Sequence, residues 1–264
     1  MPTPLDILLD PVSIVVLALY GGMMLWEAVA PGRRLPEVRG WKLRGLASFG
    51  VLFYLSSYLP LLWNGYFARF QVVDLGGLGV VGGTLVGLSI YELGVYWWHR
   101  TMHRSDRLWR SFHQMHHSAE RLDTAGAFFF SPLDMIGWTL LGSISLVLVV
   151  GLDPRAATAI LLFTNWLGMF QHANVRTPRW LGYFVQRPES HTIHHARGVH
   201  AFNYCDLPIW DILFRTFRNP SHYDLETGFY EGASARIVDM LLWRDVSKPD
   251  TKPAATIVAN QVAY

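Results

Sequence analysis

The chain has 264 residues, enough for one sizeable domain, with 51% hydrophobic and 16% charged residues and a mean hydropathy of +0.21. Soluble domains carry about 25% charge, so the deficit points to a bilayer, while a net charge of +2 with no basic run argues against nucleic acid as a partner. One cysteine, Cys205, excludes an internal disulfide and a cysteine-rich zinc or iron–sulfur site, so any bound metal falls to histidine.

The opening "MPTPLDILLDPVSIVV" carries Asp6 and Asp10 and no basic residue ahead of its apolar run, which predicts a retained helix and not a cleaved signal peptide. Hydropathy predicts spans over about 12–30, 46–67 and 75–98, each near the ~20 residues that cross a bilayer core. A fourth, 132–152, and a shorter fifth, 156–171, form a hairpin turned at Asp153-Pro154; the fifth contains Thr164 and Asn165 and reads as a span or a re-entrant segment. "GGLGVVGG", 76–83, is expected to pack helices closely through its small residues. Of the basic side chains only Arg69 and Arg155 fall on one side, which predicts a cytoplasmic location for the other side and for the histidines that follow the third span. "ARIVDMLLWR", 235–244, reads as an interfacial helix or as core packing, and the residues after it as a loose tail. Three regions result: N-terminal transmembrane helices (1–98), a catalytic region that includes the hairpin 132–171 (99–220), and a C-terminal helix and tail (221–264).

Ten of the eleven histidines lie between residues 99 and 200. His99 and His103 are one helical turn apart; His113, His116 and His117 follow at i, i+3, i+4, and His191, His194 and His195 repeat that spacing. Eight imidazoles gathered beside a membrane without a cation would leave many polar nitrogens unpaired. A metal takes one nitrogen from each ring, and four to six ligands per ion make eight or nine histidines a dinuclear set.

The motifs "HRTMH", "HQMHH" and "HTIHH", with "LWRSFHQMHHS" and "NYCDLPIWDILFRTF" around them, resemble the membrane fatty acid hydroxylase and sterol desaturase superfamily over about 91–217. The resemblance implies a non-haem di-iron centre that uses O2 and two electrons to attack an unactivated C–H bond of a lipid, either hydroxylating or desaturating it. It makes metal ligands of His99, His103, His113, His116, His117, His191, His194 and His195. His172 falls where the family places another ligand, and His200 is a tenth ligand or a group that orients one; His222 reads as a surface residue. Glu92, two turns before His99, together with Asn203 and Asp211 in the closing motif, is expected to support the ligand imidazoles. Three departures stand out: Phe129 and Ser131 replace a basic pair, Cys205 and Arg215 replace glycines.

No haem module, cysteine set or dinucleotide fingerprint is visible, so a separate electron donor is implied, a ferredoxin or cytochrome b5-like carrier with its reductase. Zinc binds imidazole more tightly than Fe(II) and is expected as a non-native replacement. The fold expected is an all-α integral membrane protein of about four transmembrane helices, or three plus a helical hairpin, with a cytoplasmic helical cap holding the metal site. A lipid would reach that site through a slot between spans and cap lined by Trp97, Trp98, Phe128 and Phe130, presenting carbons near its polar end. Rival readings are a metal transporter and a membrane zinc hydrolase.

Overall fold

Capping sets the first boundaries. Thr3 and Asp6 close a reciprocal capping box on a short helix, Pro4–Leu9, and Asp10 then accepts from the Val12 amide at 2.9 Å to start α1, Pro11–Val29. The two acids near the N-terminus are thus helix caps. The computed structural model describes residues 1–223 and 226–249.

Four helices are long and apolar enough to cross a membrane: α1, α2 (Trp41–Phe67), α3 (Gly79–Arg104) and α4 (Pro132–Val149). The last changes to π-helical winding over Ile144–Val149. A fifth helix, α5 (Pro154–His172), returns antiparallel after Asp153 caps the Arg155 amide at 2.8 Å. It has the length of a span but is not among the four apolar ones. Its polar residues Thr164, Asn165 and Gln171 face an internal cavity. The 26 residues of α3 rise about 39 Å, longer than the ~30 Å hydrocarbon core requires, and its last turns carry His99 and His103. The chain is an all-helical integral membrane protein, as read; among the described residues the one β feature is a bridge between Ala196 and Thr227.

Close helix packing does rest on glycine, though mostly beyond the expected stretch. A Cβ on Gly87 would lie 2.3 Å from Leu152 and 2.8 Å from Ile160, and one on Gly83 would lie 3.1 Å from Ala156, whereas Gly77, Gly79 and Gly82 press on no other helix. Gly83 and Gly87, one turn apart, share the face toward α5, whereas Gly79, a turn earlier, opens the helix with nothing within 4 Å of a Cβ there.

Beyond the bundle, Trp41, Met115, Phe129, Phe229 and Met240 form a core that fastens the C-terminal segment to the histidine region. The expected C-terminal helix is short, Ile237–Leu241; Met240 is buried in the core, while Val238, Leu242 and Trp243 are exposed. Residues 250–264, most of the expected tail, lie outside the described residues.

Candidate metal centre

Four stretches of chain deliver the histidines. His99 and His103 come from the end of α3; His113 ends a π-helical turn, Trp109–His113, that runs into the turn Gln114–His117. His172 is the last residue of α5, and α6, Pro188–His194, brings His191, His194 and then His195. Nine rings assemble into two groups whose ligand atoms lie within 4.8 Å of one another: His99, His103, His113, His117 and His194 in one, His116, His172, His191 and His195 in the other. Each HxxHH motif is split between the groups, because residues one turn apart (113 and 117, 191 and 195) point one way and the residue between them points the other. The rings of His117 and His195 stack at 4.1 Å across the boundary. His200 stands outside both groups, partly buried, with Nδ1 3.1 Å from Nδ1 of His117. His222 is exposed beside Ser221, far along the chain from the clusters.

The proton inventory indicates what these groups accommodate. His99 Nδ1 lies 2.7 Å from the Tyr204 carbonyl, and a carbonyl only accepts, so Nδ1 carries the proton and Nε2 presents a lone pair. His113 Nδ1 donates to the Asp134 carboxylate at 2.8 Å, so Nε2 is the nitrogen it turns toward the group. The two Nε2 atoms are 2.9 Å apart, close enough for both to bind one cation between them. The second group repeats the spacing, with His172 Nε2 3.1 Å from His116 Nε2 and 2.9 Å from His191 Nε2, and His191 Nε2 3.1 Å from His195 Nε2. Imidazole–metal bonds of about 2.1 Å set adjacent ligand atoms about 3.0 Å apart in octahedral and about 3.4 Å in tetrahedral geometry. Burial, reinforced by the neighbouring rings, pushes His116, His117, His191, His194 and His195 well below the usual 6.5, so they stand neutral, the ligating form. The donor set, its spacing and its protonation fit two metal ions.

Fixing the rings falls largely to backbone. His172 Nδ1 donates to the Gly168 carbonyl in its own helix at 2.6 Å, and His194 Nδ1 to Phe202 O at 2.7 Å. Two of these carbonyls, Phe202 and Tyr204, belong to a loop in which His200, Phe202 and Asn203 all have positive φ (42°, 71° and 49°). Non-glycine residues in that region cost of order 1–3 kcal/mol and persist only when their surroundings fix them. The three supporting residues singled out in the sequence all hold this loop, none touching a ligand ring. Asn203 donates to Ser190 O at 2.8 Å and Arg218 O at 3.0 Å and accepts from Arg218 N at 2.8 Å. Asp211 accepts from the amides of Tyr204 (2.9 Å) and Cys205 (3.1 Å), and Glu92 from those of Asp206 and Leu207, both at 3.0 Å. Glu92 therefore acts one step further out than the sequence suggests. From Asp206 a polar chain returns through Gln171 and Gln186 to His191 Nδ1. Arg215, where the resemblance expects glycine, has φ 62°, a conformation glycine adopts without penalty, and Cys205 is buried with its thiol on Leu207 O.

Asp134 was missed. It lies 21 residues from His113, where "SPLD" reads as an ordinary helix start, and Ser131 does cap its amide at 3.2 Å. Removing the carboxylate's charge in Asp134→Asn should lower metal affinity at the five-histidine group by about 10–100-fold. A chelator competition titration checks this, and unchanged retention would exclude the role.

A cavity of about 420 Å³ opens off the centre, with His99, His113, His116, His172 and His191 in its wall. Phe128 and Phe130 line it as expected; Trp97 and Trp98 do not. Trp97 points outward, 48% exposed and edge-on to Phe214, and Trp98 packs on Phe112.

A fatty acid hydroxylase family model matches residues 84–216. The ornithine lipid hydroxylase OlsE of Rhizobium tropici is 36% identical over 175 residues, 64% of this chain and 47% of that protein. The Delta(7)-sterol-C5(6)-desaturase of Nicotiana tabacum is 31% identical over 169 residues, 61% of this chain and 58% of that protein. The alkylglycerol monooxygenase of Homo sapiens is 31% identical over 132 residues, 48% of this chain and 28% of that protein. The chain thus spans about half the length of the first two and less of the third. No solved structure matches it. Since the family model runs across half of the chain and takes in all nine grouped histidines and His200, the chain belongs to the fatty acid hydroxylase family.

Proposed function

We propose that the chain is a membrane-bound non-haem di-iron oxidoreductase that hydroxylates a C–H bond of a lipid, with O2 as oxidant and electrons from a separate ferredoxin or cytochrome b5-like carrier and its reductase. The observation that carries this reading is the gathering of nine histidines into two groups, each with its ligand atoms within 4.8 Å of one another, at the wall of an apolar cavity in a membrane protein. Iron bound at the two groups would supply what no side chain here can, reductive activation of O2 for attack on an unactivated C–H bond. Zinc in their place would offer only Lewis acidity.

The chain's own contribution is positioning. His99, His103, His113, His117 and His194 would hold one ion and His116, His172, His191 and His195 the other, with His200 in reserve beside His117. Residues 99–220 would form the catalytic region and 1–98 would supply spans, with the described residues 226–249 packed against the histidine region through Phe229, Met240 and Val246. Apolar walls such as Phe128, Phe130 and Leu146 exclude water from the reacting carbon. The positive-inside asymmetry, with only Arg69 and Arg155 on the other side, supports a cytoplasmic centre. Desaturation is the second reading, supported by the desaturase among the relatives. A transporter would spread ligands through the spans, whereas these histidines collect at one end of the bundle.

The test pairs metal and product. Protein stripped of zinc and loaded anaerobically with Fe(II) should, with reductant and O2, turn over lipid, and lipids of producing cells should gain one oxygen or lose two hydrogens. Turnover by zinc-loaded, iron-free protein would overturn the mechanism.

A further inference from the structure

The cavity is much longer than the centre needs. Along α5 its wall runs from Ala157 and Thr158 in the first turns to Gly168 and His172 at the end, and along α2 from Phe49 to Asn64. Fifteen residue steps correspond to about 22 Å, more than the ~15 Å depth of one leaflet.

Its two ends differ. At the histidine end the wall is buried: Ala127, Phe128, His172 and Gln186 are at most 7% exposed. Towards the other end it includes exposed side chains, Val12 at 41%, Leu161 at 43%, and Ser56. The open end is therefore the one remote from the metals. It is also polar, with Ser13, Ser57, Asn64 and Thr158 in the wall, and the Asn64 amide oxygen is buried without a hydrogen-bond partner. Asn165 Oδ1 is likewise unpartnered halfway along, beside Leu161 and Leu162. Pro60, which lacks the amide that would bond the Ser56 carbonyl, removes one bond from the α2 ladder between these polar residues.

Resting on the lipid-oxidising reading above, we propose that this cavity is a substrate tunnel entered at the far end by the hydrocarbon end of a slender, single-chain amphiphile. The polar group stays at the mouth near Asn64, and the carbon presented to the histidines is remote from it. That reverses the expectation from sequence, which placed the reacting carbon near the polar end.

Photo-crosslinking tests the order without turnover. Palmitic acid carrying a diazirine near its methyl end should label the Phe128–Phe130 or Gly168–His172 segments of the purified full chain. The same acid with the diazirine beside the carboxyl should label Ser57–Asn64 or Ala157–Leu161. In Ser57→Trp, which plugs the mouth, methyl-end labelling at the first pair of segments should be lost while bound metal per protein is unchanged, showing that the fold and centre survive. The reversed pattern, labelling of neither segment pair, or undiminished labelling in Ser57→Trp would each overturn the tunnel. A chain that labels in the expected order but oxidises nothing would instead refute the oxidase reading and leave the tunnel standing.

Discussion

Replacing His195 by alanine should remove one of two bound metal equivalents and bring lipid oxidation to background, while His222→Ala changes neither. His195 belongs to the four-membered group, where its Nε2 lies 3.1 Å from that of His191, so its loss leaves three donors. The five-membered group keeps all its rings and should stay loaded. His222 is exposed and belongs to neither group. Metal analysis of the purified variants decides the matter: full occupancy in His195→Ala would show that this ring is not a ligand.

Gly45→Ala should cost about 3 kcal/mol or more, the upper end for overpacking. A Cβ there would stand 2.0 Å from the Ala125 carbonyl oxygen and 2.7 Å from its carbon, and backbone cannot swing aside as a side chain would. The opposing loop is also pinned from every direction. Tyr20 donates to Ala125 O at 3.1 Å, Trp41 Nε1 to Asp123 at 2.7 Å, and Glu27 accepts from the Thr124 amide at 2.8 Å. The expected fall in melting temperature in detergent is about 6–12 °C. An unchanged melting curve would mean that α2 and this loop separate more easily than their packing indicates.

Much of this molecule is legible from periodicity. Helical spacing brings each histidine motif together on one turn, and hydropathy marks the spans, because both signals depend on neighbours within a few residues. Contacts made across long separations leave no such trace. Nothing in "FNYC" announces that the carbonyls of Phe202 and Tyr204 will orient His194 and His99. Glu92 is conspicuous as a carboxylate within a span, but its partners, the amides of Asp206 and Leu207, lie more than a hundred residues away. The tunnel is equally silent, since it belongs to no single helix: α5, read as a span or a re-entrant segment, turns its polar residues to the cavity.

The split of each HxxHH motif between the two groups bears on how the protein is assembled. Neither group is complete until α6 arrives, since His194 closes one and His191 and His195 close the other. A ribosome that has completed α1 to α5 has still produced only four donors of one set and two of the other. Full metal loading is therefore a terminal event of biogenesis, and a chain cut short before residue 191 would be a membrane protein with every span and no finished site.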